Sequence, residues 1–154
     1  MVSKSVAALL FLAFSAGAAG AQAIDPSMGG PGDATHGQAL FKQHCMTCHV
    51  ADQGGKNGVG PALYGAYGRA AGQAPGYTYS DALKASGIVW TPDKLNQWIQ
   101  KPSSLVPGVK MMIPAVNQPQ ERADIIAYLK TESTVKEAAA PAKKTAKMTH
   151  KPAG

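Results

Sequence analysis

The sequence predicts an all-α fold of four short helices separated by long loops. Three observations carry this. Three stretches open on helix-capping residues and a fourth starts near Pro119, with apolar residues at helical spacing in the first, third and last. No alternating run of β-branched residues reads as a strand pair. Between Val50 and Tyr79 lie thirty residues with no helix signal at all. A loop of that length needs something other than its own side chains to order it. Aromatic residues make up only 6% of the chain, thin material for a large core. Both facts point to a bulky buried prosthetic group.

The first helix spans about Ala34 to His44, with Asp33 as N-cap and Ala34, Gly37, Leu40 and Phe41 sharing one face. Ser80 caps a short second helix that Gly87 closes. Thr91-Pro92-Asp93 is a compact start signal: a capping hydroxyl, Pro at the first helical position, then an acid near the positive end of the dipole. Leu95, Trp98 and Ile99 follow on one face, and Pro102 ends that helix. The last helix starts near Pro119 and runs to about Thr131, packing through Ile125, Ile126, Tyr128 and Leu129.

The ends of the 154-residue chain stand apart from this domain. Residues 1–23 read as a secretory signal: a basic Lys4, an apolar run from Val6 to Phe14, and Ala21-Gln22-Ala23 as the cleavage site, with cutting after Ala23. An uncleaved anchor is the lesser reading, because a spanning helix carries stronger hydrophobes over about 20 residues. Residues 24–32 form a Gly/Pro-rich, flexible lead-in. Residues 33–132 form the domain. Residues 133–154 are an Ala/Lys/Pro tail too poor in apolar residues to offset its ordering entropy, and are expected to be disordered.

The formal net charge is +6 and the pI about 9.4, which by itself would suggest an anionic partner. The distribution says otherwise. Lys4 leaves with the signal. Residues 24–132 hold nine basic and eight acidic residues, and the tail holds five lysines against Glu137. The basic character belongs to the tail, so it gives no support to nucleic-acid binding.

The chemistry sits in Cys45-Met46-Thr47-Cys48-His49, a C-x-x-C-H motif for attachment of haem c. Two thiols three apart at the end of a helix can reach both vinyl groups on one edge of the macrocycle, and the adjacent His49 then lies under the iron. A C-x-x-C redox pair would need a thioredoxin-like βαβ context, which is missing. A zinc site would need a second ligand pair, and His36, His44 and His150 are not so spaced. A sixth iron ligand must come from elsewhere, and a His/Met pair suits electron transfer. Met46 and His44 sit on the proximal side, and Met28 and Met148 lie in the ends. Met111 and Met112 remain, in a stretch opened by the Pro107-Gly108 turn.

The ordered series around this motif is longer than C-x-x-C-H alone requires. Gly37 and Phe41 precede it. Gly60-Pro61-Ala62-Leu63, Gly65 to Arg69, Gly72 to Ser80, Gly87 to Trp90, Pro102, Pro107-Gly108-Val109-Lys110-Met111 and Ala123 to Lys130 follow. From Asp33 to Lys130 the chain resembles class I cytochrome c of the mitochondrial and purple-bacterial soluble type. The resemblance implies that fold, with the helices and loops wrapped around one covalent haem. It makes Met111 the axial methionine beside His49, and Cys45 and Cys48 the thioether anchors. It gives Pro61 a carbonyl bond to the proximal imidazole. It places Arg69, Tyr79 and Trp90 around a haem propionate.

Three positions depart from the mitochondrial pattern. Leu83, Trp98 and Val109 stand where an Asn, a Tyr and a Thr form a polar network on the methionine side. A drier pocket is expected, with the Trp98 N–H as the one remaining side-chain donor near the sulfur. Around the haem edge, lysines give way to His44, Ser103, Ser104, Asn117 and Gln118, although Lys110 is kept.

The resemblance implies a periplasmic one-electron carrier with iron and haem c as cofactors, and not an enzyme. Its partners would be membrane redox complexes, such as a cytochrome bc1-type reductase and a terminal oxidase or reaction centre. A monomer with transient docking is expected. The rival readings are a haem peroxidase or gas sensor, which need an open distal position, and a docking module of a larger enzyme tethered by the tail.

Overall fold

The computed structural model describes residues 29–139. The signal segment, residues 24–28 and the tail beyond Ala139 lie outside the described residues. Five helices are present: α1 (Ala34–His44), α2 (Asp81–Ala85), α3 (Pro92–Gln100), α4 (Pro102–Leu105) and α5 (Pro119–Ala139). One isolated antiparallel bridge, Ala70 to Val89, is the nearest approach to a strand pair among the described residues.

The caps act as their chemistry requires. Asp33 accepts from the Thr35 and His36 N–H groups at the start of α1. Ser80 Oγ accepts from Leu83 N in α2, and Gly87 follows that helix at φ +65°. Thr91 Oγ1 accepts from Lys94 N in α3, with Pro92 at the first position. These bonds satisfy N–H groups that have no partner within the helix.

Three features differ from the sequence expectation. Pro102 ends α3 but also starts α4, a single turn; Pro lacks only an N–H that a first turn does not use. The last helix continues past Thr131 to Ala139, so residues 133–139 of the expected tail are helical. Glu, Lys and Ala over that stretch have high helix propensity, and the first breaker is Pro141. Residues 29–32 of the expected flexible lead-in lie against α5. Gln120 Oε1 accepts from Gly30 N at 2.8 Å, and its Nε2 donates to Pro31 O at 3.1 Å. A Cβ on Gly32 would overlap the Ala123 carbonyl.

The core forms where α1 crosses α5. Leu40 and Phe41 of α1 meet Ile125, Ile126, Tyr128 and Leu129 of α5, joined by Leu95 and Ile99 of α3. The Phe41 and Tyr128 rings are 5.4 Å apart and tilted, a favourable edge-to-face geometry. At the crossing Gly37 has no side chain to spare: a Cβ there would overlap the Asp124 carbonyl.

Asp124 is 2% exposed beside that crossing. It accepts from Asp33 N at 2.8 Å and from Gln120 Nε2 at 2.9 Å, and pairs with His36 Nδ1 at 2.7 Å. Burial pushes its pKa up, but the Asp33, His36 and Gln120 bonds outweigh this and hold it below the ordinary aspartate value.

Two outcomes are expected. Gly37→Ala should cost about 1–3 kcal/mol through overpacking, read by urea unfolding against Gly58→Ala, whose added Cβ would meet only Cys48 O at an ordinary 3.6 Å. Asp124 has a depressed folded pKa. Its contribution is therefore complete above the unfolded value of about 3.9 and is lost as pH falls through the folded one. Wild-type stability should drop below about pH 4, and Asp124→Asn should be less stable at neutral pH and flatter on the acid side.

Candidate functional site

The end of α1 delivers the motif. Cys45 caps α1, its N–H bonding Phe41 O at 2.8 Å, and the chain then turns so that Cys48 N and His49 N both donate to Cys45 O. The two sulfurs and the imidazole are thus presented from one turn, on the helix that the crossing with α5 fixes. Both thiols are free and half-buried. Burial, and then the neighbouring Cys48, push the Cys45 thiol up to about 11. A thiol held protonated at neutral pH is unsuited to the attack that a catalytic cysteine pair makes.

His49 is nearly buried, at 9% exposure. Its Nδ1 lies 2.8 Å from Pro61 O. A carbonyl can only accept, so Nδ1 carries the proton and Nε2 keeps its lone pair. Burial lowers the pKa of His49 and the Pro61 bond opposes this, with burial the larger effect; the ring is neutral, as a metal ligand must be. Gly60 makes room for it. A Cβ there would overlap the His49 ring, while Gly60 N donates to Cys48 O at 2.8 Å. Asn57 ties this loop down by accepting from Ala62 N and donating to Pro75 O.

The bridge between Ala70 and Val89 sets the next group. Trp90 N donates to Arg69 O and Gly68 N to Trp90 O, both at 3.0 Å, so Arg69 and Trp90 are neighbours although distant in sequence. Tyr79 Oη accepts from Ala74 N at 3.2 Å. Burial pushes its pKa upward, so its O–H remains a donor. Arg69 Nη1 reaches Tyr64 O only at 3.5 Å. Arg69 Nε and Tyr64 Oη are buried with no hydrogen-bond partner. Arg69, Tyr64, Asn57, Lys56 and Ala74 line one open cleft of about 410 Å³. Two orphaned donors at one cleft are what a bound carboxylate would satisfy. The residues present therefore fit a haem whose propionates enter here.

Met111 and Met112 separate clearly. Met112 is 91% exposed. Met111 packs against the cluster of Ala71, Leu83, Trp98 and Val106, and its Sδ accepts from Trp98 Nε1 at 3.1 Å. Leu83 and Val109, two of the three departures, belong to that same apolar cluster. The Trp98 ring also meets Trp90, with centroids 5.0 Å apart.

Three participants gave no sequence signal. The phenol of Tyr64 looks like any loop tyrosine until its burial is seen. Arg122 and Asn96 read as solvated helix residues, yet they are 2% and 4% exposed and joined by a 2.6 Å bond from Arg122 Nε to Asn96 Oδ1. Gly60 could have been found, since it directly precedes the Pro61 assigned to the imidazole.

Residues 34–133 match the family model described as Cytochrome c. Cytochrome c2 of Rhodopila globiformis is 54% identical over 101 residues, covering 66% of this chain and 94% of that protein. Cytochrome c of Euglena viridis is 47% identical over 100 residues, covering 65% and 97%. Among solved structures, cytochrome cH from Methylobacterium extorquens matches with a TM-score of 0.61 at 48% identity, over 65% of this chain and 99% of that one. The fold, the motif and these matches agree: the chain belongs to the class I cytochrome c family, whose members carry electrons on covalently bound haem c.

Proposed function

We propose that this protein is a periplasmic one-electron carrier with His49 and Met111 as the axial ligands of its haem iron. The observation that carries the reading is the half-buried Met111 sulfur, held under the Trp98 N–H while its neighbour Met112 is exposed. Haem c, when bound, supplies the redox chemistry. The chain does the rest. Cys45 and Cys48 hold the macrocycle by thioethers. Pro61 orients the His49 ring and makes it a better donor. Arg69, Tyr79 and Trp90 surround a propionate, with Tyr64 as an added donor at the cleft. Apolar Leu83 and Val109 keep the methionine side of low polarity.

With both axial positions taken by side chains, the iron has no place for a substrate, so the protein is a carrier and not a peroxidase or gas sensor. The signal at residues 1–23 supports export across the inner membrane with cleavage after Ala23, and residues 133–154 act as a solubilising basic tail. The resemblance to class I cytochromes supports a cytochrome bc1-type reductase as donor and a terminal oxidase or reaction centre as acceptor. The chain would serve as a monomer with small, transient interfaces.

Absorption spectroscopy of the oxidised protein tests the ligation. The weak long-wavelength sulfur-to-iron band should be present, vanish in Met111→Ala and survive in Met112→Ala. Rapid carbon monoxide binding by the native reduced protein would overturn the reading. Trp98→Phe removes the N–H that draws electron density from the sulfur. It should lower the reduction potential by roughly 20–60 mV, the worth of one hydrogen bond for a one-electron couple, as measured by potentiometric titration.

A further inference from the structure

The segment that carries Met111 is held in an unusual way. Between α4 and α5, residues 107–117 form no helix, and beyond the turn at Pro107-Gly108 no backbone–backbone hydrogen bond is made by them among the described residues. Such a stretch would open easily unless side chains tie it down. Near its start, Lys110 Nζ donates to Thr78 O at 3.2 Å, but this contact is solvent-exposed. Next comes the Trp98 contact to the Met111 sulfur. Then Met112 is exposed, as are Pro114 and Ala115. An open cleft of about 420 Å³, lined by Gln97, Lys101, Ser104, Leu105, Ala115 and Asn117, lies beside the segment. Side-chain packing does not hold the middle of this segment.

The far end is held from α5. Arg122 Nη1 donates to both Val116 O and Asn117 O, each at 2.8 Å, and its Nε donates to Asn96 Oδ1 on α3 at 2.6 Å. Val116 is 4% exposed and belongs to the core at the α1–α5 crossing. A guanidinium is a planar fork whose donors are fixed relative to one another. Asn96 on its Nε edge therefore sets where the two carbonyl-directed bonds from Nη1 can point. These are charge-assisted bonds in a water-poor place, the strong kind.

We infer that Arg122, oriented by Asn96, is a positioning residue for Met111: it clamps residues 116–117 so that the segment keeps the sulfur on the iron. Arg122 reaches the segment through the Val116 and Asn117 carbonyls, five and six residues beyond Met111. It acts by setting the equilibrium between the closed segment and one lifted away from the haem. This rests on the proposed role of Met111 as ligand.

The test is the affinity of the full-length ferric holoprotein for added imidazole, which takes the sixth position only when the Met111 segment lets go. The apparent Kd then equals the intrinsic one multiplied by the closed-to-open ratio. Asn96→Ala should lower the apparent Kd about tenfold, the effect of losing one charge-assisted bond. Arg122→Lys, which keeps the charge but loses the fork, should lower it further. Asn96→Asp restores an acceptor on Nε and should return it to within about threefold of wild type. Asp33→Ala, which removes the side-chain cap at the start of α1, should lower the unfolding midpoint and leave the imidazole Kd unchanged. If the Asn96 and Arg122 variants bind imidazole like wild type while the sulfur-to-iron band is present, the clamp is refuted. An apparent Kd that falls in step with the unfolding midpoint across all variants, Asp33→Ala included, also refutes it. If wild type lacks the band, the ligand assignment fails instead.

Discussion

The close crossing of α1 over α5 is the constraint on which the rest of this structure depends. Gly37 lets the two backbones approach until only hydrogen separates them. Phe41 and Tyr128 lock the next turn, and the buried Asp124 binds the start of α1 through the Asp33 N–H. The C-terminal end of α1 is then fixed in space, and that end is where Cys45, Cys48 and His49 stand. A shift at the crossing would move the attachment turn and every contact made from it. The structural helices and the chemical site are therefore not separable modules.

The loops show how a chain with little regular structure satisfies its backbone. Buried N–H and C=O groups need partners, and here side chains supply many of them. Asn57 bridges Ala62 and Pro75, Tyr79 takes the Ala74 N–H, and Arg122 takes the Val116 and Asn117 carbonyls. Each of these bonds fixes a loop relative to a helix or another loop. What they leave over is informative: the Arg69 Nε and Tyr64 Oη have no protein partner, and they meet at the cleft where propionates would enter. The remaining gap in the polar accounting and the proposed cofactor carboxylates coincide.

The chemistry asks for stillness. An electron carrier works best when its ligands and surroundings change little between the two iron states, and the arrangement here is built from short, directed contacts. The Pro61 carbonyl fixes which imidazole nitrogen is free. Trp98, where the resemblance implies a tyrosine, offers one N–H to the Met111 sulfur. Leu83 and Val109 contribute only apolar surface there. Around the Met111 sulfur, apolar surface and the one Trp98 N–H are what the described residues supply.

The sequence by itself determined what local rules govern. Capping residues and prolines placed α1, α2, α3 and the start of α5, because a cap is a bond between residues two or three apart. The C-x-x-C-H motif declared the haem chemistry, since both thiols and the imidazole come from one turn. Charge counted by segment placed the basic character in the tail, so the pI gives no support to nucleic-acid binding. What only the tertiary structure decided involves partners far apart in the chain. Met111 and Met112 are indistinguishable by composition; the resemblance implies Met111, and the structure half-buries its sulfur against Trp98 Nε1 while Met112 faces solvent. The burial of Arg122 and Asn96 arises where α3, α5 and the 116–117 segment converge, and no local pattern encodes it. Residues 29–32 were read as flexible because Gly and Pro weaken local order, yet Gln120 and the surface of α5 pin them. In each case local propensity says which conformations a segment can adopt, and long-range contact selects one.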